Sequence, residues 1–306
     1  MHADTKIAQL LNQLNTVIVG KAPQVSDCVA CLLAGGHLLI EDVPGVGKTT
    51  LAHALSRSFG LQFSRVQFTA DLMPSDLVGV SIYERGREAF VFHPGPVFAQ
   101  VLLADEINRA SPKTQSALLE AMEEKQVTVE GETRALPQPF FVIATQNPFD
   151  QLGTYALPES QLDRFHMRIS LGYPDRAAER ELLRGADRRE LIEQLPAVLS
   201  PADLAGLQAR VLAVHTAEPV LEYLQDLVAA TRSGRWFAQG LSPRAALAVV
   251  RAAKAQAFLQ GRDYVAPDDI SAILPQTAAH RLVPVSDAGR GAMEQVRAMI
   301  DATPLP

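Results

Sequence analysis

Asp42-Val-Pro-Gly-Val-Gly-Lys-Thr-Thr50 is the stretch that decides the reading of this chain. It follows the apolar run Leu38-Leu39-Ile40, which reads as a buried parallel strand. It precedes Thr49–Phe59, where Leu51, Ala52 and Leu55 mark one face of a helix. Gly45 and Gly47 let the Pro44-Gly45-Val46-Gly47 turn curl until backbone N–H groups and the helix N-terminus surround phosphate oxygens. Lys48 is then expected on the β- and γ-phosphates, the Thr49 hydroxyl on Mg²⁺, and Thr50 at the start of the helix beside them. One position departs from the usual pattern: six residues before Lys48, where glycine is usual, stands Asp42.

Around this loop the chain has ordinary globular proportions. Its 306 residues are 47% hydrophobic and 20% charged, enough for a sizeable core and about two domains. The net charge of −6 argues against a general nucleic-acid binder. No basic leader followed by an apolar segment opens the chain, and no stretch approaches 18 apolar residues. A cytoplasmic protein without a membrane span is the expectation. The two cysteines, Cys28 and Cys31, lie within an amphipathic pattern from Pro23 to Ala34. No second pair or histidine set completes a zinc site, so they read as buried thiols.

Strands and helices alternate through the first part. Strands are expected at Leu38–Ile40, Phe63–Gln67, Val101–Ala104, Phe140–Ala144 and Met167–Ser170; helices at Thr5–Val17, Pro23–Ala34, Thr49–Phe59 and Lys113–Glu124. From Asp175 onward only helical patterns follow: Arg176–Gly185, Pro201–His215, Val220–Arg232, Pro243–Gln260, Pro267–Ala279 and Gly291–Ile300. The expected fold is α/β, a parallel sheet sandwiched by helices over residues 1–174, followed by a small all-helical domain over 175–306. Two hairpins decorate the core: Ser81–Phe92 turning at Gly86, and Gln126–Arg134 turning at Glu130-Gly131.

Val101-Leu-Leu-Ala-Asp-Glu106 carries two carboxylates at a strand's carboxyl end, the edge where open α/β sheets bind ligands. Asp105 is expected to hold Mg²⁺ through its water shell, and Glu106 to polarise the water that attacks the γ-phosphorus. Phe141-Val-Ile-Ala-Thr-Gln-Asn147 ends in amides, and Asn147 is placed to orient that water, unless Asn147-Pro148 merely forms a turn. In Leu157-Pro-Glu-Ser-Gln-Leu-Asp-Arg-Phe165, Arg164 at the core's edge would stabilise transition-state charge on a neighbour's phosphate. An internal salt bridge with Asp163 or Glu159 is the plain alternative, and Arg168 is a rival cation. Gly240-Leu-Ser-Pro-Arg-Ala245 begins a helix with Ser242 as cap, so Arg244 projects from its N-terminal end. A cation there opposes the helix dipole.

Together these residues resemble the AAA+ ATPases, and closely the MoxR family. The likeness runs through Leu38–Thr49, Arg65–Gly79, Asp105–Met122, Ala144–Pro148 and Leu157–Phe165. MoxR-like sequences commonly carry an acidic residue at the place of Asp42. The resemblance implies ATP as ligand, with Lys48 and Thr49 in the Walker A motif and Asp105 and Glu106 in Walker B. It makes Asn147 sensor 1, Arg164 the arginine finger and Arg244 sensor 2, while Val19 and Gly20 of Val17-Ile-Val-Gly20 line the adenine pocket. The two hairpins would be the helix-2 insert and the pre-sensor-1 hairpin. It also implies a hexameric ring with ATP between subunits, and a chaperone-like role in maturing or metal-loading a protein client beside a von Willebrand factor A domain partner. Whether Arg244 serves its own subunit or a neighbour stays open at this point. A DNA-associated motor, a binding scaffold with negligible hydrolysis and a chelatase motor subunit are the other readings.

Overall fold

In the computed structural model, residues 3–147, 153–185, 188–285 and 291–305 are described. Nine strands are β1 (Leu38–Glu41), β2 (Phe63–Gln67), β3 (Gly79–Glu84), β4 (Ala89–Pro94), β5 (Val101–Asp105), β6 (Gln126–Val129), β7 (Glu132–Ala135), β8 (Phe141–Gln146) and β9 (Met167–Ile169). Before the sheet ends come helices α1 (Ala3–Val17), α2 (Ala22–Leu33), α3 (Lys48–Ser58), α4 (Pro74–Val78), α5 (Pro112–Glu124) and α6 (Glu159–Leu162). After it come α7 (Arg176–Arg184), α8 (Arg188–Glu193), α9 (Pro201–Ala213), α10 (Glu218–Arg232), α11 (Pro243–Leu259), α12 (Pro267–Ala278) and α13 (Ala292–Ala302).

Five strands form one parallel sheet in the order β2-β5-β8-β1-β9. Both faces are covered, and the interior strands are buried almost throughout, which is why they read as unbroken apolar runs. Side chains alternate between two apolar layers. Leu38 and Ile40 enter the layer of α1, α2 and α3, while Leu39 joins Leu102, Ala104 and α5 on the other side. The edge strand β2 is only partly buried and carries Arg65 and Gln67.

The helices after β9 close on the first layer. α11 packs on α12, α2 and α9, and its buried Ala245, Ala248, Ala252, Ala253, Ala255 and Ala257 allow the close approach. Among the described residues, strand pairing beyond β9 is limited to two isolated bridges, His215 with Tyr264 and Phe237 with Pro284. Cys28 and Cys31 are buried and free, and burial pushes both thiols up, far from thiolate chemistry. No described helix is long and apolar enough to cross a membrane.

The expected long elements are present with ends shifted by at most two residues, β8 and β5 running on to Gln146 and Asp105. The short helices α4, α6 and α8 were not expected. Each is too brief for a helical period to register. α4 starts at Pro74 and is held by Asp76, whose carboxylate accepts the Met73 N–H at 2.8 Å. The first hairpin, β3–β4, is longer than expected, and its turn holds Glu88 at φ 47°. The second, β6–β7, turns at Glu130 and Gly131 with φ of 53° and 81°, as a two-residue turn of this hand requires. The hairpins touch: the Arg134 guanidinium lies 4.0 Å from the ring centre of Phe92.

Candidate active site

The loop from Asp42 to Gly47 joins β1 to α3 at the carboxyl-terminal edge of the sheet. Gly45 and Gly47 adopt φ of 85° and 97°, and a methyl group built on either would meet nothing within 4 Å, so the loop rims open space. Gly47 caps α3, and the first helical residues are Lys48, Thr49 and Thr50. Lys48 folds back over the loop, its Nζ donating to the carbonyls of Asp42 at 2.6 Å and Val43 at 3.2 Å.

Asp42, expected among the nucleotide contacts, turns its carboxylate toward the segment after β9. One oxygen accepts the Gly172 N–H at 2.6 Å and the Ser170 hydroxyl at 3.1 Å; the other accepts the Val43 N–H at 2.9 Å. The residue that stands where glycine is usual therefore anchors the loop's start to the segment after β9.

Asp105 ends β5 on the same edge and is buried. Arg65 on β2 reaches one of its oxygens with Nη2 at 2.7 Å and Nε at 3.2 Å, and the Thr145 hydroxyl of β8 reaches the other at 2.6 Å. The parallel register explains the meeting, since Gln67 stands opposite Asp105 and Ala104 opposite Ala144. Glu106 follows in a left-handed conformation, φ 56° and ψ 51°, uncommon for a residue with a side chain. Its N–H donates to the Thr145 hydroxyl at 2.9 Å. One carboxylate oxygen accepts from Gln67 Nε2 and from Arg109 Nε, each at 2.9 Å. The buried Asn147 lies just past the end of β8 on this edge; Pro148 falls outside the described residues. Thr49 and Asp105 are hard oxygen donors of the kind Mg²⁺ takes.

Val19 and Gly20 lie in the link between α1 and α2. Gly20 has φ 71°, and a methyl group there would come within 2.7 Å of Ala178 on α7; the neighbouring Lys21 Nζ donates to the Tyr173 carbonyl at 2.7 Å. Arg168 is tied on the same edge to Glu41 at 2.6 Å, a carboxylate that also accepts from Gln146.

Arg164 and Arg244 are elsewhere. Arg164 precedes β9, as His37 precedes β1, so it lies at the amino-terminal edge. Strands here are three to six residues long, which puts about 10 Å or more of sheet between that edge and the loop. Arg164 pairs neither with Asp163 nor with Glu159. Its Nε lies 3.1 Å from Glu123 at the end of α5, and the same carboxylate's other oxygen binds Arg244. The structure thus brings Lys48, Thr49, Asp105, Glu106 and Asn147 to one edge, and Arg164 with Arg244 to the other. Arg65, Gln67, Thr145 and Glu123 had been given no role. The only advance signal was that Arg65, Gln67 and Glu123 carry polar groups next to apolar elements.

A family profile described as ATPase family associated with various cellular activities (AAA) matches residues 37–167, and an AAA lid domain profile matches 229–301. The chain is 46% identical over 303 residues to the uncharacterized protein YeaC of Bacillus subtilis, covering 98% of this chain and 95% of that one. It is 43% identical over 285 residues to the chaperone MoxR1 of Mycobacterium tuberculosis, covering 90% and 75%. It is 33% identical over 328 residues to the protein MoxR of Methylorubrum extorquens, covering 98% and 95%. A crystal structure of a protein from Cytophaga hutchinsonii superposes with a TM-score of 0.92 at 37% identity, covering 99% and 96%.

Proposed function

The chain belongs to the MoxR family of AAA+ ATPases, and from that premise we propose that it is a Mg²⁺-dependent ATP hydrolase whose catalytic sites are shared between subunits of a ring. One observation carries the reading: the phosphate loop and the Asp105-Glu106 pair stand at one edge of the sheet, while Arg164 and Arg244 converge at the other. On this reading the loop backbone from Pro44 to Gly47, with Lys48 and Thr50, holds the triphosphate, and Val19 and Gly20 border the base. Thr49 and Asp105 hold the metal, which supplies charge neutralisation between β- and γ-phosphates. Glu106 polarises the attacking water and Asn147 orients it.

On this reading Arg164 and Arg244, paired with Glu123 at the edge opposite their own loop, serve the next subunit. Their place at that edge supports action of Arg244 on a neighbour. A contact that offers one edge to the opposite edge of the next copy is head-to-tail, and such contacts close into a ring or run on as a filament; a hexameric ring is the member of that series we propose. The division of the chain at residues 174 and 175, between core and helical lid, is part of the same proposal, as is action in the cytoplasm.

Hydrolysis then changes the angle between core and lid and moves the hairpins. The β3–β4 hairpin exposes Ile82, Tyr83 and Phe90, an apolar surface suited to a protein client. Chaperone-like remodelling of such a client, with a von Willebrand factor A domain partner, is the work we assign to it. Substituting Glu106→Gln tests the chemistry: ATP binding persists while turnover falls by about a hundredfold or more. Retained turnover in that variant would remove Glu106 from the reaction.

A further inference from the structure

A cavity of about 450 Å³ opens at the amino-terminal edge of the sheet, between α5, the segment before β9 and α11. Four arginines line it: Arg164, Arg244, Arg251 and Arg281. Arg281 is neutralised within the fold. Its Nε lies 2.9 Å from Asp163 Oδ1, and its guanidinium also donates to the carbonyls of Asp163 and Phe165. Three arginines then remain against one carboxylate, Glu123, which holds Arg164 and Arg244 together.

Arg251 lies two turns along α11 from Arg244 and so on the same face. It has no ion pair or hydrogen bond among the described residues. The histidines in the wall add no charge. Burial holds His37 down to about 4 and His166 down to about 3, the latter with help from Arg281 and Arg251. Two surplus positive charges therefore face one space.

We infer that this cavity receives a phosphate group, with Glu123 as its resident counter-ion and Arg251 as a third phosphate-binding cation. The inference rests on the shared-site reading of Arg164 and Arg244. To that it adds a competitor inside the subunit and a ligand group not yet assigned. An arriving phosphate displaces the Glu123 carboxylate from the two guanidinium groups and gains Arg251. In a lone subunit the carboxylate keeps the two arginines paired and folded inward, so each subunit's cations become available only against an anion able to outcompete it. The terminal phosphate of a neighbour's nucleotide and a free phosphate compound share this chemistry.

The test measures turnover against subunit concentration for wild type, Glu123→Gln and Arg251→Gln, with binding of a fluorescent ATP analogue followed in parallel. Gln at 123 keeps the hydrogen-bonding shape and loses the charge. Half-maximal turnover is expected at several-fold lower subunit concentration for E123Q and several-fold higher for R251Q. The affinity of the dilute subunit for the analogue stays unchanged in both, because the phosphate loop is at the other edge. A second arm titrates inorganic pyrophosphate into dilute Lys48→Ala protein and into the K48A/R251Q double variant. Arg251-dependent binding there identifies free phosphate as a source, and its absence beside shifted turnover curves identifies the neighbour's nucleotide. Unshifted curves without Arg251-dependent pyrophosphate binding overturn the inference, as does an E123Q variant that loses turnover. If Arg164→Ala alone keeps full turnover, the shared-site reading fails, and the pyrophosphate arm still decides the cavity.

Discussion

Asp105 meets two protein donors at the place where a divalent cation would compete with them. Arg65 holds one carboxylate oxygen and Thr145 the other. The Arg65 side chain is about half exposed, so it can leave toward solvent, whereas the carboxylate it holds is buried. Two cations cannot share that oxygen without repelling each other. Arg65→Ala is therefore expected to lower the Mg²⁺ concentration for half-maximal turnover several-fold; an unchanged magnesium dependence would mean that Arg65 and the metal do not compete. At this scale the sequence exposed the groups with chemistry in their own spacing: the glycines before Lys48, and the carboxylates at the end of an apolar strand. It did not expose the partners. Asp42 meets Ser170 and Gly172, and Glu123 meets Arg164 and Arg244, across separations of 41 to 130 residues that no local pattern encodes.

At the scale of elements, apolar runs and helical periods identified the five sheet strands and the long helices, because burial on both faces of a sheet or one face of a helix is what writes those patterns. Helices of four to six residues bury too little to write one. The hydrogen bond that links α2 to α12 through Asp27 and Gln276 was equally silent in sequence and has a measurable consequence. Asp27 on α2 is partly buried, and that burial raises its carboxyl to about 6, although the Gln276 amide donates to it at 3.3 Å and pulls the other way. A carboxyl raised in the folded state binds its proton more tightly there than in the unfolded chain. The stability it contributes is complete below about pH 4 and is lost as pH rises through about 6. Asp27→Asn should raise stability at pH 7 to 8 by about 1–3 kcal/mol and leave it nearly unchanged below pH 4. Thermal melts across that range check this, and an equal gain at every pH would assign the effect to packing.

For the whole molecule, the decisive arrangement is the opposition of two edges of one sheet. Local motifs could place Arg164 and Arg244 near phosphate, but only the strand order shows that they lie across the sheet from their own Lys48. The ring we propose, in which each subunit completes the next site, rests on that geometry and on closure of a head-to-tail contact. The most direct measurement mixes two variants, Lys48→Ala, which retains Arg164 but lacks the loop lysine, and Arg164→Ala, which retains the loop but lacks the arginine. Each alone should be nearly inactive, and R164A should still bind ATP. Mixed in equal amounts before assembly, about a quarter of the interfaces pair an intact loop with an intact arginine, and turnover should recover toward that fraction of wild type. An R164A protein that hydrolyses ATP at the wild-type rate, independently of its concentration, would contradict the shared site and place every catalytic group within one subunit.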